Sequence, residues 1–259
     1  MSEDILINVT PFETRVALVE QGQVQELHIE RSIQRGYVGN IYLGKVVRVL
    51  PGMQSAFIEI GLERAAFIHV ADLRQNRRER LEGAPITPIE KLLFEGQSLI
   101  VQVTKDPIGT KGARLSTQIS IAGRMLVYLP YDPHVGVSQK IDEEERRHAL
   151  KERVQELAKD HDGGFIVRTQ AEIATEELQA DSQYLRKLWS IIQQRIKTQK
   201  LPSTLYTELH LHQRILRDVA TPQTGKIIVD SRMVYQQMLE WADVYTPALT
   251  SRIHHHSGS

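Results

Sequence analysis

Cysteine is absent from this chain of 259 residues. Disulfides, iron–sulfur clusters, cysteine zinc sites and a nucleophilic thiol are therefore excluded within it. A net charge is absent too, because 32 basic residues balance 32 acidic residues, so no overall field indicates a partner. No run of about 18 uncharged apolar residues occurs, and the start of the chain, MSEDILINV, is acidic where a signal peptide would be basic. We therefore expect a cytoplasmic protein with no membrane association.

The familiar catalytic signatures are missing as well. The sequence contains no P-loop, no G-x-G-x-x-G motif, no Ser/His/Asp arrangement and no pair of carboxylates at strand ends suited to magnesium. His210 and His212 alternate, and three histidines follow one another at 254–256, a run typical of a metal cluster or of a tag. No carboxylates with metal-ligand spacing accompany them. The sequence therefore predicts neither a catalytic residue nor a metal site within this chain.

The two ends of the chain are predicted to form one α/β unit. Alternating apolar residues over 1–35 predict a hairpin or a three-stranded meander, which is too small to be stable alone. The apolar run 226–230 is a candidate strand to pair with it, and Ser231 is a candidate N-cap. The helix that follows carries apolar residues on one face: Val234, Met238, Leu239 and Ala242. Everything between the two ends would then be an insertion.

Residues 36–121 show the pattern of a small β-barrel. Short strands are predicted at 41–50, 54–60, 65–70, 99–104 and 114–121, a pattern typical of an OB-type barrel. Pointing outward, Phe57 and Phe67 would offer stacking faces to unpaired bases, with Lys111 meeting phosphates; pointing inward, they would fill the core. Spacing leaves both interpretations open, and Lys111 is equally consistent with a solvated face. The arginine-rich segment 74–80 fits either solubility or phosphate contact.

Residues 122–202 alternate strand, helix, strand and helix. Asp142 and Glu145 predict a capping box for the first helix. The strand over 165–167 stops at Arg168 and Thr169, where a guanidinium and a hydroxyl side by side can bind one phosphate. Polar residues also end strands without any such role, so the structural alternative stays open. Gly123 allows a close approach of the backbone.

Several long blocks of the sequence carry a resemblance to a known family. They are, in order, LINVTPFETRVALVEQGQVQELHIER, GNIYLGKVVRVLPGMQSAFIEIGLERAAFIH, VTKDPIGTKGARLST, HVGVSQKI and GGFIVRTQAE. The chain is similar to the RNase E/RNase G family of bacterial endoribonucleases, and is closer to its RNase G members. The resemblance implies a multidomain α+β fold. An RNase H-like subdomain (1–35 and 203–259) would be interrupted by an S-one-type OB-fold β-barrel (36–121) and an α/β 5′-sensor domain (122–202).

Carried over position by position, the resemblance implies two sets of binding residues. The first, the single-stranded RNA surface of the barrel, consists of Phe57, Phe67 and Lys111. The second, which would bind an RNA 5′-monophosphate, consists of Arg168 and Thr169 with neighbouring contacts from Gly123 and Val127. The chain departs from the family pattern twice. Gln139 and Lys140 stand where ribonuclease E has an Arg-Arg pair, and the segment 74–80 has no counterpart.

The resemblance also implies a function. The chain would be the RNA-binding, 5′-monophosphate-sensing N-terminal part of an RNase G-like endoribonuclease that cleaves single-stranded RNA in RNA processing and decay. In the family, the Mg²⁺-binding aspartates and a paired-cysteine Zn²⁺ link used in oligomerisation lie beyond the last residue of this chain. We therefore expect the chain alone to be inactive and without a cofactor, and the full-length enzyme to be a homo-oligomer. The alternative is a stand-alone single-stranded RNA-binding protein that never cleaves.

Overall fold

Helices and strands are mixed along the whole chain, as predicted for an α+β protein. The computed structural model describes residues 3–76, 85–159, 161–172 and 175–258. The chain divides into two compact units. Unit 1 comprises Met1–Arg35, Glu172–Ala174 and Leu209–Ser259, and unit 2 comprises Gly36–Ala171 and Thr175–Glu208. Among the described residues, no helix is long and apolar enough to cross a lipid bilayer.

Unit 1 is built on a mixed sheet whose strands come from both ends of the chain. In the described residues the strand order is β15-β14-β1-β2-β3. The strands are β1 (Asp4–Val9), β2 (Glu13–Glu20), β3 (Gln23–Arg31), β14 (Ile227–Val229) and β15 (Ile253–His255). The helices are α4 (Leu211–Asp218), α5 (Arg232–Tyr245) and α6 (Pro247–Thr250).

The predicted pairing of the two chain ends is confirmed. Strand β1 runs parallel to β14, with Ile5 opposite Ile227, and both side chains are fully buried. The predicted N-cap is confirmed too, because the Ser231 hydroxyl accepts a hydrogen bond from the Val234 amide at 3.4 Å. Helix α5 packs the predicted face against the sheet residues in one apolar core. Two segments that cannot be stable separately thus bury each other.

Unit 2 contains a closed β-barrel, as predicted. Its sheet has the order β13-β4-β5-β6-β8-β7, and a further pairing of β4 with β7 closes it. The strands are β4 (Ile41–Leu50), β5 (Ser55–Glu59), β6 (Ala66–His69), β7 (Ser98–Lys105), β8 (Arg114–Ser116) and β13 (Ser203–Tyr206). A short helix, α1 (Ile89–Leu92), packs into the barrel core through Ile89.

Two barrel strands differ from the sequence prediction. The strand predicted at 114–121 ends at Ser116, because the Ser116 hydroxyl accepts a hydrogen bond from the Gln118 amide and turns the chain. Ile121 and Ala122 then form β9, which joins a different sheet. Strand β13, which the sequence analysis grouped with the C-terminal segment, pairs with β4 and extends the barrel sheet.

The rest of unit 2 is a second sheet with two long helices. The sheet has the order β11-β12-β10-β9, with β9 (Ile121–Ala122), β10 (Leu126–Leu129), β11 (Val135–Val137) and β12 (Gly164–Val167). The helices are α2 (Glu144–Ala158) and α3 (Leu178–Thr198). The predicted capping box is wrong. Helix α2 begins one residue later than the motif requires, with Glu143 at the N-cap and no side-chain cap.

Candidate RNA interface

The two phenylalanines of the barrel lie outside its core. Along β5 and β6 the burial alternates: Ala56, Ile58, Ala66 and Ile68 are buried, whereas Phe57 is 39% exposed and Phe67 is half-buried. Since successive side chains of a strand point to opposite faces, both rings lie on the outer face. The interpretation that they fill the core is therefore wrong. Their contact with RNA stays a prediction.

A row of four side chains crosses this outer face. Arg48 is opposite Phe57, Phe57 is opposite Phe67, and Phe67 is opposite Arg114. Neighbouring strands are about 4.8 Å apart, so the row spans about 14 Å. The guanidinium of Arg114 is held by the Asp72 carboxylate at 2.8 Å. We call Arg48, Phe57, Phe67 and Arg114 the barrel row: two aromatic rings between two cations.

Lys111 lies near one end of this row. It closes a tight turn with Ile108, each amide donating to the other residue's carbonyl at 3.0 and 3.2 Å. The Phe67 amide donates to the carbonyl of Ala113 at 2.9 Å, so the turn runs beside the start of β6. The Lys111 side chain is exposed. The structure thus brings Lys111 near Phe67 and Phe57, while the position of Arg48 in this row was missed.

The second predicted set lies at one end of the sheet β11-β12-β10-β9. Val127 and Ile166 are directly paired, and Arg168 is two residues beyond Ile166, so the three share one face while Phe165 and Val167 are buried on the other. The Arg168 amide donates to the Met125 carbonyl at 2.8 Å. The Arg168 guanidinium donates to the carbonyl of Gly123, which fixes its direction. Arg168, Gly123 and Val127 are thus brought together.

Asp181 organises this end of the sheet, and the sequence analysis missed it. From α3 its carboxylate accepts hydrogen bonds from three backbone amides, those of Arg124, Met125 and Leu126, at 2.9–3.1 Å. A Cβ at Gly123 would lie 2.5 Å from this carboxylate, so only glycine fits there. Burial raises the pKa of Asp181, while the three amides and the Arg168 charge oppose that shift. No local sequence signal marks a carboxylate about 55 residues from the turn that it holds.

The remaining predicted residues flank Arg168. Thr169 begins a 3₁₀ turn directly after it, over Thr169–Glu172. The amide of Ser138 donates to the Val167 carbonyl at 2.9 Å, which places the chain after β11 beside the end of β12. The Ser138 hydroxyl accepts from the amide of Lys140, whose side chain is exposed. The exposed ammonium group of Lys140 thus belongs to a residue two positions after Ser138, which is anchored next to Arg168.

Comparison with known proteins decides the family. A sequence model of the Ribonuclease E/G family matches residues 120–259, more than half of the chain. The chain belongs to this family. Ribonuclease G of Salmonella typhimurium (strain SL1344) is 47% identical over the whole chain, which covers 54% of that relative. Ribonuclease G of Haemophilus influenzae is 46% identical, with 99% of this chain and 53% of the relative aligned.

More distant members of the ribonuclease E/G family also match. Ribonuclease E of Synechocystis sp. is 37% identical over 87% of this chain and 33% of that relative. The chain spans about half the length of the Ribonuclease G relatives it matches. All of these relatives are named as ribonucleases, so the alternative of a stand-alone RNA-binding protein is not favoured. The resemblance inferred from the sequence is confirmed.

The histidines that the sequence analysis singled out lie in unit 1 of this ribonuclease E/G member. The rings of His210 and His212 stack at 5.7 Å between centroids, beside Glu30. Burial lowers the pKa of His212 to about 4. The residues at 254 and 255 lie in β15 of unit 1. Over the described residues, no group of three or more His, Asp and Glu side chains is placed to hold a metal ion.

The arginine-rich segment is only partly described. Residues 77–80, which were candidates for phosphate contact, lie outside the described residues. Arg74 is described, and its guanidinium lies over the ring of Tyr131 at 4.3 Å from the centroid. Asn76 is buried, and its side-chain amide donates to the carbonyls of Val70 and Thr87 at 3.1 and 3.0 Å. The start of the segment is therefore anchored to the barrel, and Arg74 has a specific partner.

Proposed function

We propose that this chain binds single-stranded RNA and senses its 5′-monophosphate, as part of an RNase G-like endoribonuclease of RNA processing and decay in the cytoplasm. In this proposal unit 1 is an RNase H-like subdomain and the barrel is an S-one-type domain. The sheet β11-β12-β10-β9 with α2 and α3 is the 5′-sensor. The single observation that carries the proposal is the barrel row, in which two outward phenylalanines lie between two arginines. The relatives of this chain are ribonucleases.

The chemistry of the barrel row suits unpaired nucleotides. Aromatic rings on an outer strand face stack on bases of any sequence, because every base has a π-face. Arg48 at one end of the row attracts a neighbouring phosphate, whereas the charge of Arg114 at the other end is offset by Asp72. Lys111 adds a third cation beside β6. A duplex, whose bases are already stacked and paired, cannot use the rings, so the row favours single strands.

The chemistry near Arg168 suits a terminal phosphate. A 5′-monophosphate has one more ionisable oxygen than an internal phosphodiester, so a guanidinium and a hydroxyl bind it through stronger, charge-assisted hydrogen bonds. Arg168 is aimed by its bond to the Gly123 carbonyl, and Thr169 follows it directly. Gly123 allows the Asp181 carboxylate to pack against this turn, and Val127 lies on the same face as Arg168. A triphosphate is bulkier and is disfavoured by size.

The first experiment compares two short single-stranded RNAs that differ only in a 5′-monophosphate or a 5′-hydroxyl. Fluorescence anisotropy should show tighter binding of the monophosphate RNA by the wild-type chain, and Arg168→Ala should remove most of that difference. As a control, Phe57→Ala should weaken the binding of both RNAs equally, by about 1–3 kcal/mol, and should leave the melting temperature of the protein unchanged. The sensor assignment is wrong if the wild type clearly prefers the 5′-monophosphate RNA and Arg168→Ala retains that preference in full.

The second experiment addresses cleavage. We propose that residues 1–259 alone do not cut RNA, because the resemblance assigns the Mg²⁺-binding aspartates to a subdomain outside these residues. A nuclease-free preparation incubated with Mg²⁺ and labelled single-stranded RNA should leave the RNA intact, while a Ribonuclease G relative cuts it. Mg²⁺-dependent cleavage that copurifies with the chain would contradict the proposal.

A further inference from the structure

A cleft of about 420 Å³ lies in unit 2, apart from the barrel row and the Arg168 end of the second sheet. Barrel residues, Tyr131 and the end of α3 line it. Its apolar lining residues include Leu73, Leu93, Leu99 and Ile196. Arg74 and Tyr131 line it as well. Clefts that bind small organic ligands are of this size, about 300–1,000 Å³, and combine an apolar floor with a few polar groups.

Arg74 and Tyr131 form a cation–π pair in the lining of the cleft. The guanidinium lies 4.3 Å from the centre of the tyrosine ring. The backbone of Arg74 is fixed, since its amide donates to the Thr117 hydroxyl at 2.7 Å. The ring is fixed as well, because its edge contact with Trp189 has a centroid distance of 5.3 Å and an interplanar angle of 87°. The two partners are thus held in place before binding, so little ordering is required when a ligand binds.

The charge of the cleft favours an anion. Among the lining residues that the structure describes, Arg74 is the charged side chain, and Asp and Glu are absent. The Arg74 side chain is exposed, so its charge is accessible from solvent. A guanidinium stacks on planar π-systems and binds phosphate, whereas an ammonium does only the second well. A ligand with an aromatic plane and a phosphate fits this combination.

The position of the cleft connects it to the barrel row. Thr117, which holds Arg74, is three residues beyond Arg114 at the end of the row. Three residues span at most about 10 Å, and the turn at Ser116 shortens this distance. Tyr131, in contrast, follows β10 at the end opposite to Met125 and Arg168. The cleft is therefore near the barrel row and separate from the predicted phosphate site.

We propose that this cleft binds one nucleotide of the single-stranded RNA that crosses the barrel row. The base packs against the Arg74–Tyr131 pair and the apolar lining residues, and the Arg74 charge attracts the adjoining phosphate. The proposal rests on the proposed function, because it extends the same RNA path. Since the cleft is separate from Arg168, it contributes equally to RNAs with a 5′-monophosphate and with a 5′-hydroxyl.

Binding titrations with both RNAs test this. Arg74→Ala and Tyr131→Leu should each weaken binding of the two RNAs by the same factor, about 5- to 150-fold, the range for loss of one base-stacking contact. Arg74→Lys should recover only part of the affinity, because it keeps the charge and loses the plane. Arg153→Ala, which removes an exposed arginine of α2, is the matched control and should bind as wild type. Arg74 is exposed, so its variants test the cleft even if Tyr131→Leu fails to fold.

Crosslinking locates the contact directly. RNA that contains 4-thiouridine should crosslink on irradiation to the peptide that carries Tyr131, and excess adenosine monophosphate should compete poorly. The inference is overturned if wild type binds RNA, Phe57→Ala weakens it and the Arg74 variants bind normally. It is also overturned if adenosine monophosphate occupies the cleft in preference to RNA. A wild-type chain that binds neither RNA would instead refute the proposed function.

Discussion

At the scale of single residues, the direction of a side chain decides its chemistry. Phe57 and Phe67 are outward because small or aliphatic residues on either side of each ring take the inward positions of their strands. The sequence predicted both strands, but spacing alone could not say which alternate set faces the core. Asp181 shows a second limit, because its three amide partners lie in a turn that only the tertiary fold brings to α3.

His212 predicts a pH dependence of stability. Its side chain is buried, and burial, together with the neighbouring His210 and Arg35 charges, lowers its pKa to about 4, which the Glu30 charge opposes. The unfolded chain binds this proton near pH 6.5 and the folded chain only near pH 4. The neutral His212 therefore makes its full contribution to the free energy of unfolding above about pH 6.5. This contribution, about 3 kcal/mol, is lost as the pH falls toward 4.

Urea unfolding at neutral and acidic pH measures this contribution. The wild type should lose more stability on acidification than the variant His212→Gln, whose side chain does not titrate. The difference between the two isolates His212 from the carboxylates that also titrate in this range. Equal losses in the two proteins would show that His212 is protonated as easily in the folded state as in the unfolded state.

At the scale of elements, turns decide where strands and helices end. The five barrel strands follow from alternation and from turn residues such as Pro51-Gly52, which is why they could be predicted. The fifth strand was predicted too long because its apolar pattern continues through Ile121, although the chain leaves the barrel at Ser116. The sequence motif predicted Asp142 as the N-cap of helix α2, but the N-cap is Glu143.

The turn that carries Lys111 packs closely on the barrel at Gly112. A Cβ there would lie 2.0 Å from the Ala65 carbonyl oxygen, which is backbone and cannot move aside easily. Gly112→Ala should therefore destabilise the chain by about 1–3 kcal/mol and weaken RNA binding by displacing Lys111. Gly52→Ala is the control, since nothing lies within 4 Å of its Cβ. Thermal melts of both variants should differ clearly; two equal melts would mean that the turn adapts without cost.

At the scale of the whole molecule, the chain is folded back so that its ends share one sheet. The pairing of β1 with β14 was predictable, because neither segment could be stable alone. The pairing of β13 with β4 was not, since a four-residue strand far along the sequence carries no signal of its partner. The cleft beside Arg74 was hidden for the same reason, because its walls come from segments that are distant in sequence.

A disulfide across the two ends tests this arrangement. Leu6 and Ile228 are paired in register, and neither belongs to the buried core. The chain has no cysteine to compete, so Leu6→Cys with Ile228→Cys should form one bridge. Closing so long a loop should stabilise unit 1 by up to about 5 kcal/mol over the reduced form. Denaturation of the oxidised and reduced double variant measures this, with each single variant as a control; no gain would argue against the β1–β14 pairing.

The shared sheet has a further consequence during translation. Asn8 and Asp230, which are hydrogen-bonded across β1 and the end of β14, are 222 residues apart. At about 5–20 residues per second, the ribosome releases β1 about 10–45 s before its parallel partner exists. For that time β1 has an unpaired edge, which invites association with other nascent chains. A chaperone at the ribosome exit would protect this edge until β14 is made.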